Sequence, residues 1–211
     1  MAAAVVFKFV YGFLIFLAFI ITGVALFTPG WRSYDGDDAP MMGLVTRDCG
    51  SNNRAVESYD CARWHEMQFT FEQVTLALMI VAWILQFIAL AFFCGLFTRA
   101  RLALPATTLC FLAFIAILIA LIVYGVRYQR KIAYMMSVTY ELLADVHLGY
   151  SYWLASVGCI FTLLATLAAG GYFGNNTATD ISEIRHTEPA IHHAAANHAR
   201  NHAESRRPSH Y

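Results

Sequence analysis

Charged residues are scarce in this sequence. They make up 13% of its 211 residues, and hydrophobic residues make up 59%, whereas a soluble domain carries about 25% charged residues. A chain with so little charge cannot cover a water-facing surface, so we expect most of it to lie in a lipid bilayer. The net charge is zero, which gives no indication of a nucleic-acid partner.

The few charges leave four long stretches without any, and each is close to or longer than the roughly 20 residues that cross a bilayer core. In lipid every backbone polar group must be satisfied internally, so the stretches are predicted to be helices. The first is too long for the ~7–15-residue core of a secretory signal, so we expect it to be retained. The predicted helices are residues 7–27, 74–98, 102–126 and 150–174.

These helices define the predicted organisation. Residues 1–174 form a four-helix transmembrane domain with outer loops at 28–73 and 127–149, and the polar segment 175–211 is an expected disordered tail. Four crossings place both ends of the chain on one side. The positive-inside rule does not orient the bundle, because each side carries seven Lys and Arg residues.

Ionisable residues are missing from the predicted helices, apart from Lys8 near one edge. A proton relay or transport site normally needs such residues, and no nucleophile–base pair or metal cluster converges in the sequence. We therefore expect neither an enzyme nor a cofactor nor a small-molecule substrate. Gln86 is the most polar deep residue and is expected to bond across helices. Gly170 and Gly174 have GxxxG spacing, which serves either packing within the bundle or a dimer face.

Cysteine is too rare, at five residues, for a disulfide scaffold. Cys49 and Cys61 are the two that lie outside the predicted helices, and both fall in loop 28–73. A pair in one loop is typical of an oxidising compartment, so we predict a disulfide and orient this loop outward, with both termini cytosolic. The disulfide would enclose the eleven residues between Cys49 and Cys61, and closing a loop of that length stabilises the fold by roughly 3 kcal/mol.

Loop 28–73 also carries eight acids against four arginines. Its net charge of 4 − 8 = −4 would attract cations or basic partners, although a solvated loop surface explains the same residues. The candidate cation-facing acids are Asp35, Asp37, Asp38, Asp48, Glu57 and Asp60. Trp31, just after the first helix, is predicted to lie in an interfacial aromatic belt. The terminal residues Ser209, His210 and Tyr211 fit a PDZ ligand, which adds a strand to that domain's groove.

Several of these residues together form a pattern. A first helix ending in Thr-Pro-x-Trp (Trp31), then Gly43-Leu44, then Cys49 and Cys61 resembles the first loop of the claudin superfamily. That group also includes peripheral myelin protein-like and channel-subunit-like members. The segment 149–156, at the start of the fourth helix, is similar to the corresponding segment in claudins, and the resemblance covers about residues 1–175.

The resemblance implies a left-handed four-helix bundle under a small extracellular β-sheet, formed mainly by loop 1 with a contribution from loop 2. It implies a plasma-membrane protein of cell–cell junctions that acts in adhesion or in the paracellular barrier, as a homo- or hetero-oligomer with other membrane proteins. Two departures stand against strict claudin behaviour. Val45 replaces the family's second tryptophan, and three residues rather than two separate the Gly43-Leu44-Val45 motif from Cys49. The alternative is an auxiliary subunit that regulates a channel or receptor.

Overall fold

The computed structural model describes residues 2–34, 41–48, 68–95, 103–129, 146–171 and 174. Within these ranges the chain forms four helices that are long and apolar enough to cross a membrane, which confirms the predicted membrane fold. The helices are α1 (Ala2–Phe27), α2 (Thr70–Gly95), α3 (Ala103–Arg127) and α4 (Tyr150–Gly171). The handedness of the bundle stays a prediction.

Helix α2 begins at Thr70, four residues before the predicted start at 74. The prediction began the helix after Glu72, the last charged residue of the preceding loop. In the structure Glu72 lies in the first turn of the helix and caps it. Its Oε2 accepts a hydrogen bond from the Phe69 N–H at 3.0 Å. This is the glutamate half of a capping box, in which the third helical residue reaches back to the N–H of the residue before the helix. The loop predicted as 28–73 is therefore shorter at its end.

A four-stranded antiparallel sheet lies at the end of the bundle where α1 finishes, called here the sheet end. Three strands come from the segment after α1, and the fourth directly precedes α4. The strands are β1 (Arg32–Tyr34), β2 (Met41–Met42), β3 (Arg47–Asp48) and β4 (Val146–Leu148), in the spatial order β3-β2-β1-β4. A sheet drawn mainly from the first loop is what the family resemblance implies.

The bundle core consists of two apolar clusters, and each receives residues from all four helices. The cluster near the sheet includes Leu26, Met79 and Ile117; the other includes Tyr11 and Ile15. Buried alanines recur on every helix, and small side chains let helix backbones approach closely in lipid. These alanines include Ala18, Ala82, Ala113, Ala120, Ala155 and Ala165.

A layer of polar residues separates the two clusters. The Gln86 Nε2 on α2 donates to the Thr22 Oγ1 on α1 at 3.2 Å and to the Thr162 Oγ1 on α4 at 2.8 Å. The side chains of all three residues are fully buried. In the described part of the chain the Gln86 Oε1 has no hydrogen-bond partner. Gln86 thus bonds across helices, as its position in the sequence predicts.

Candidate interaction site at the sheet end

Trp31 lies at the centre of the sheet end. Its side chain is fully buried, and its indole N–H donates to the Ala25 carbonyl on α1 at 2.7 Å. The ring lies edge-on to Tyr124 of α3 and to Tyr152 of α4, with centroid distances of 5.0 and 6.1 Å. The prediction of an interfacial belt residue was wrong, because Trp31 folds back over the bundle and closes its core.

The last carbonyls of α1 are satisfied by side chains from this end of the molecule. A helix leaves its final four carbonyl groups without intrahelical donors. Besides the Trp31 indole, the Thr46 hydroxyl donates to the Phe27 carbonyl at 2.6 Å. The Thr28 hydroxyl donates at 2.7 Å to the Val24 carbonyl, which also accepts the Thr28 N–H at 3.0 Å. Thr46 lies in the turn between β2 and β3, so its bond to Phe27 fixes the sheet to the end of α1.

Gly43 and Leu44 form that same turn and pack beneath the sheet. A Cβ atom on Gly43 would lie 2.5 Å from the Thr28 oxygen and 2.6 Å from the Thr46 oxygen, both of them backbone atoms that cannot turn aside. Only glycine therefore fits at this position without moving the chain. The Leu44 side chain is fully buried in the apolar cluster that also contains Trp31. The structure thus brings together three of the motif residues of the sequence.

The start of α4 is joined to the end of α1 at the same place. The Ser151 Oγ lies 2.7 Å from the Thr28 Oγ1 and accepts a bond from the Gly30 N–H at 3.0 Å. The Ser151 N–H donates in turn to the Gly30 carbonyl at 2.7 Å. Gly149 fits here because a side chain on it would collide with the Gly30 backbone. The first and last helices therefore meet through a continuous set of hydrogen bonds.

A buried ion pair links the sheet to α2. The Arg32 Nη2 on β1 lies 2.6 Å from the Glu72 Oε1, and the two side chains are 0% and 2% exposed. The Arg32 guanidinium also lies over the Phe69 ring, 5.8 Å from its centroid. Sequence reasoning counted both charges as part of a solvated loop. The position of Glu72 three residues after Phe69 hinted at a cap, but no local pattern signals its pairing with Arg32.

Of the six predicted cation-facing acids, the structure describes Asp48. It lies on β3, one of the two edge strands of the sheet, with an exposed side chain and Met41 as its strand partner. The other five acids lie outside the described residues, as do Cys49, Cys61 and the terminal residues 209–211. Among the residues described, no group of three His, Cys, Asp or Glu side chains is placed to hold a metal ion.

The glycine pair of α4 lies at the opposite end of the bundle. A Cβ built on Gly170 would come no closer than 4.0 Å to the Thr107 side chain of α3, and one built on Gly174 would have no described atom within 4 Å. Neither glycine is thus required by a close helix contact within the described part of the chain. A dimer face at this position stays a prediction.

The arrangement at the sheet end is one of mechanical support. The sheet is joined to all four helices through Trp31, Gly43, Ser151 and the Arg32–Glu72 pair, and Asp48 on the edge strand β3 remains exposed. Such a platform is suited to binding another protein surface.

Comparison with protein families gives a match to the model described as "Tight junction protein, Claudin-like", which covers residues 1–181. A comparison with curated proteins gives no significant match. The matched range contains all four helices, the sheet and the motif residues just described.

Proposed function

Because this chain belongs to the claudin-like tight junction family, we propose that it acts at cell–cell junctions in adhesion or in the paracellular barrier. Chains would associate laterally within one membrane and across the gap between two membranes through the sheet and its loops. The family is one of structural junction proteins, and its members are multi-pass membrane proteins. The proposal further places both termini in the cytosol and the sheet outside the cell.

The observation that carries this proposal is the rigid attachment of the sheet to the bundle. A partner surface binds with less entropic cost when the binding element is already ordered. The sheet is fixed through Trp31 to α1, through Tyr124 and Tyr152 to α3 and α4, and through the Arg32–Glu72 pair to α2. Its loops therefore start from defined positions, as trans contact between two membranes requires.

The test is expression of the tagged full-length chain in a confluent epithelial layer that forms weak junctions of its own. We expect enrichment at cell–cell contacts together with a changed transepithelial resistance. The matched control is the same chain with Gly43→Trp, which drives a large side chain into the backbone beneath the sheet. Uniform surface staining and unchanged resistance with the native chain would contradict the proposal.

The acidic first loop leads us to propose a bias toward cations in any paracellular path. Of the six candidate acids, Asp48 is the one that the structure describes, with an exposed side chain on the edge strand β3. Asp48→Lys reverses its charge and is expected to lower the permeability ratio of sodium to chloride, measured as a dilution potential. Asp180→Lys makes the same change in the predicted cytosolic tail and should leave the ratio unchanged. Equal effects of the two substitutions would contradict a role for the loop charge.

A Cys49–Cys61 disulfide and the outward orientation form one linked part of the proposal. Alkylation of intact cells with a membrane-impermeant maleimide should leave both thiols unlabelled until a reductant is added. Cys49→Ser should then make Cys61 reactive, which also reports that the loop faces the medium. Labelling of the native chain without reductant would contradict the disulfide.

We also propose that the terminal residues Ser209, His210 and Tyr211 bind a PDZ scaffold. Deletion of Tyr211 removes the terminal hydrophobic side chain that such a groove requires. The expected result is loss of recruitment of a junctional PDZ protein to the expressed chain. Unchanged co-localisation after the deletion would contradict this partner.

The second candidate function is that of an auxiliary subunit of a channel or receptor, and Val45 favours it. This residue takes the place of the family's second tryptophan. In the structure it is partly buried and packs against the cluster around Trp31, so it presents less surface than a tryptophan would. Co-purification of a larger channel or receptor, without a change in resistance, would support this function over the junctional one.

A further inference from the structure

A groove between α2 and α3 is not used by the sheet-end contacts. It lies near the sheet end of the two helices and has a volume of about 520 Å³, within the roughly 300–1,000 Å³ of typical ligand sites. We call it the α2–α3 groove. Its lining residues are Thr70, Phe71, Val74, Ile122, Val123, Val126 and Arg127.

The groove has one polar end and an apolar body. Val74, Ile122 and Val126 are large aliphatic residues, 43%, 56% and 73% exposed, and all lie within the apolar spans that face lipid in a membrane. Thr70 and Arg127 stand at the ends of these spans, where hydrocarbon gives way to head groups. A ligand that fills the groove must therefore match a hydrocarbon wall and a polar rim at once.

The charge at the rim selects for an anion. Among the described residues no carboxylate forms an ion pair with Arg127, and the nearby Glu72 is paired with Arg32. A guanidinium beside a hydroxyl group suits a phosphate oxygen, which accepts charge-assisted hydrogen bonds.

The floor of the groove is held in place. The Phe71 ring stacks on Phe69 with a centroid distance of 5.6 Å and lies edge-on to Tyr124 at 5.7 Å. Tyr124 in turn contacts Trp31. The groove is therefore built on the same aromatic cluster that closes the bundle, and it does not depend on a ligand for its shape.

The groove combines an aliphatic body, which suits an acyl chain, with a polar end, which suits a phosphate. We therefore propose that the α2–α3 groove binds a phospholipid, with an acyl chain along the aliphatic residues and the phosphate at Arg127 and Thr70. A second transmembrane helix fits less well. Close helix packing in lipid relies on small residues, whereas the exposed residues along this groove are the branched side chains Val74, Ile122 and Val126. A thin, flexible acyl chain needs no close backbone approach.

The test uses the full-length protein in mild detergent, with palmitoyl-oleoyl phosphatidylcholine titrated in and bound lipid counted by native mass spectrometry. We expect a single retained phospholipid, with affinity lowered roughly tenfold by Arg127→Gln through loss of a charge-assisted bond. Val74→Trp, which fills the groove, should abolish retention. Ile84→Trp places the same large side chain at a lipid-facing residue of α2 outside the groove, with 49% exposure, and should retain the lipid.

Thermal melting of each variant separates lipid loss from misfolding. If Val74→Trp does not fold, Thr70→Val and Arg127→Gln carry the test alone, because both residues are exposed. Three results would overturn the proposal: equal lipid retention by Val74→Trp and Ile84→Trp, retention of a sterol in place of phospholipid, or cross-linking of two chains through cysteines placed at Val126.

Discussion

Loss of one partner from the buried Arg32–Glu72 pair is expected to be among the most damaging single changes to this fold. Glu72→Gln is nearly equal in shape and keeps an oxygen for the Phe69 N–H, so it removes the charge and leaves the helix cap. The guanidinium then stays buried and has lost the carboxylate of Glu72. Breaking a buried pair in this way costs about 3–5 kcal/mol, which is more than a hundredfold in the folding equilibrium.

The double substitution Arg32→Met with Glu72→Gln removes both charges. Because replacing a buried pair by neutral groups is often nearly neutral in stability, we expect this double variant to be more stable than Glu72→Gln alone. The assay is equilibrium unfolding of the purified protein by a denaturing detergent, followed by circular dichroism. Raising the salt concentration should change the native stability little, since buried charges are poorly screened.

Two results would refute this reasoning. A Glu72→Gln variant within about 1 kcal/mol of the native chain would place the pair in the class of weak surface contacts. Costs that simply add in the double variant would show that Arg32 and Glu72 do not interact, since contacting residues show coupling energies of about 0.5–3 kcal/mol.

Three further changes test the packing of the bundle, all measured as unfolding free energy in the same detergent. Gly43→Ala should cost about 1–3 kcal/mol or more, because the new methyl group meets rigid backbone oxygens; a neutral result would mean that the turn relaxes easily. Trp31→Phe should cost about 2–4 kcal/mol through the cavity and the lost bond to Ala25, and a tighter fold would contradict the role of Trp31 as a closing residue. Gln86→Leu should cost less than about 1 kcal/mol, since interhelical hydrogen bonds in lipid average about 0.6 kcal/mol. A cost above 3 kcal/mol would show that the polar layer dominates core stability.

The helices follow from the sequence because hydrophobic length is a local property. Each predicted stretch contains a helix within the residues that the structure describes, and the error at the start of α2 arose from a charge whose partner lies 40 residues away along the chain. Pairing over such a distance has no local signal. The same limit explains Gln86: its depth predicted a bond across helices, but its partners on α1 and α4 depend on how the helices pack.

The sheet end shows a second kind of limit. A tryptophan just after an apolar helix is typical of an interfacial belt, and the same position serves a residue that folds inward. What decides between them is the acceptor offered to the indole N–H by Ala25 and the rings of Tyr124 and Tyr152, which come from other helices. The family motif located Trp31, Gly43 and Leu44 correctly as a group, but the contact geometry came from the structure.

The pairing of β1 with β4 has a consequence for how the chain is made. β1 ends at Tyr34, and its neighbour β4 begins at Val146, so the ribosome adds more than a hundred residues between them. At about 5–20 residues per second this takes roughly 6–22 s. During that interval the edge of β1 that later pairs with β4 is unpaired. An unpaired strand edge can hydrogen-bond to other chains and so promote aggregation. The nascent protein therefore has a vulnerable period that ends when β4 pairs and α4 joins the bundle. A chain released before β4 is synthesised leaves this edge of β1 uncovered.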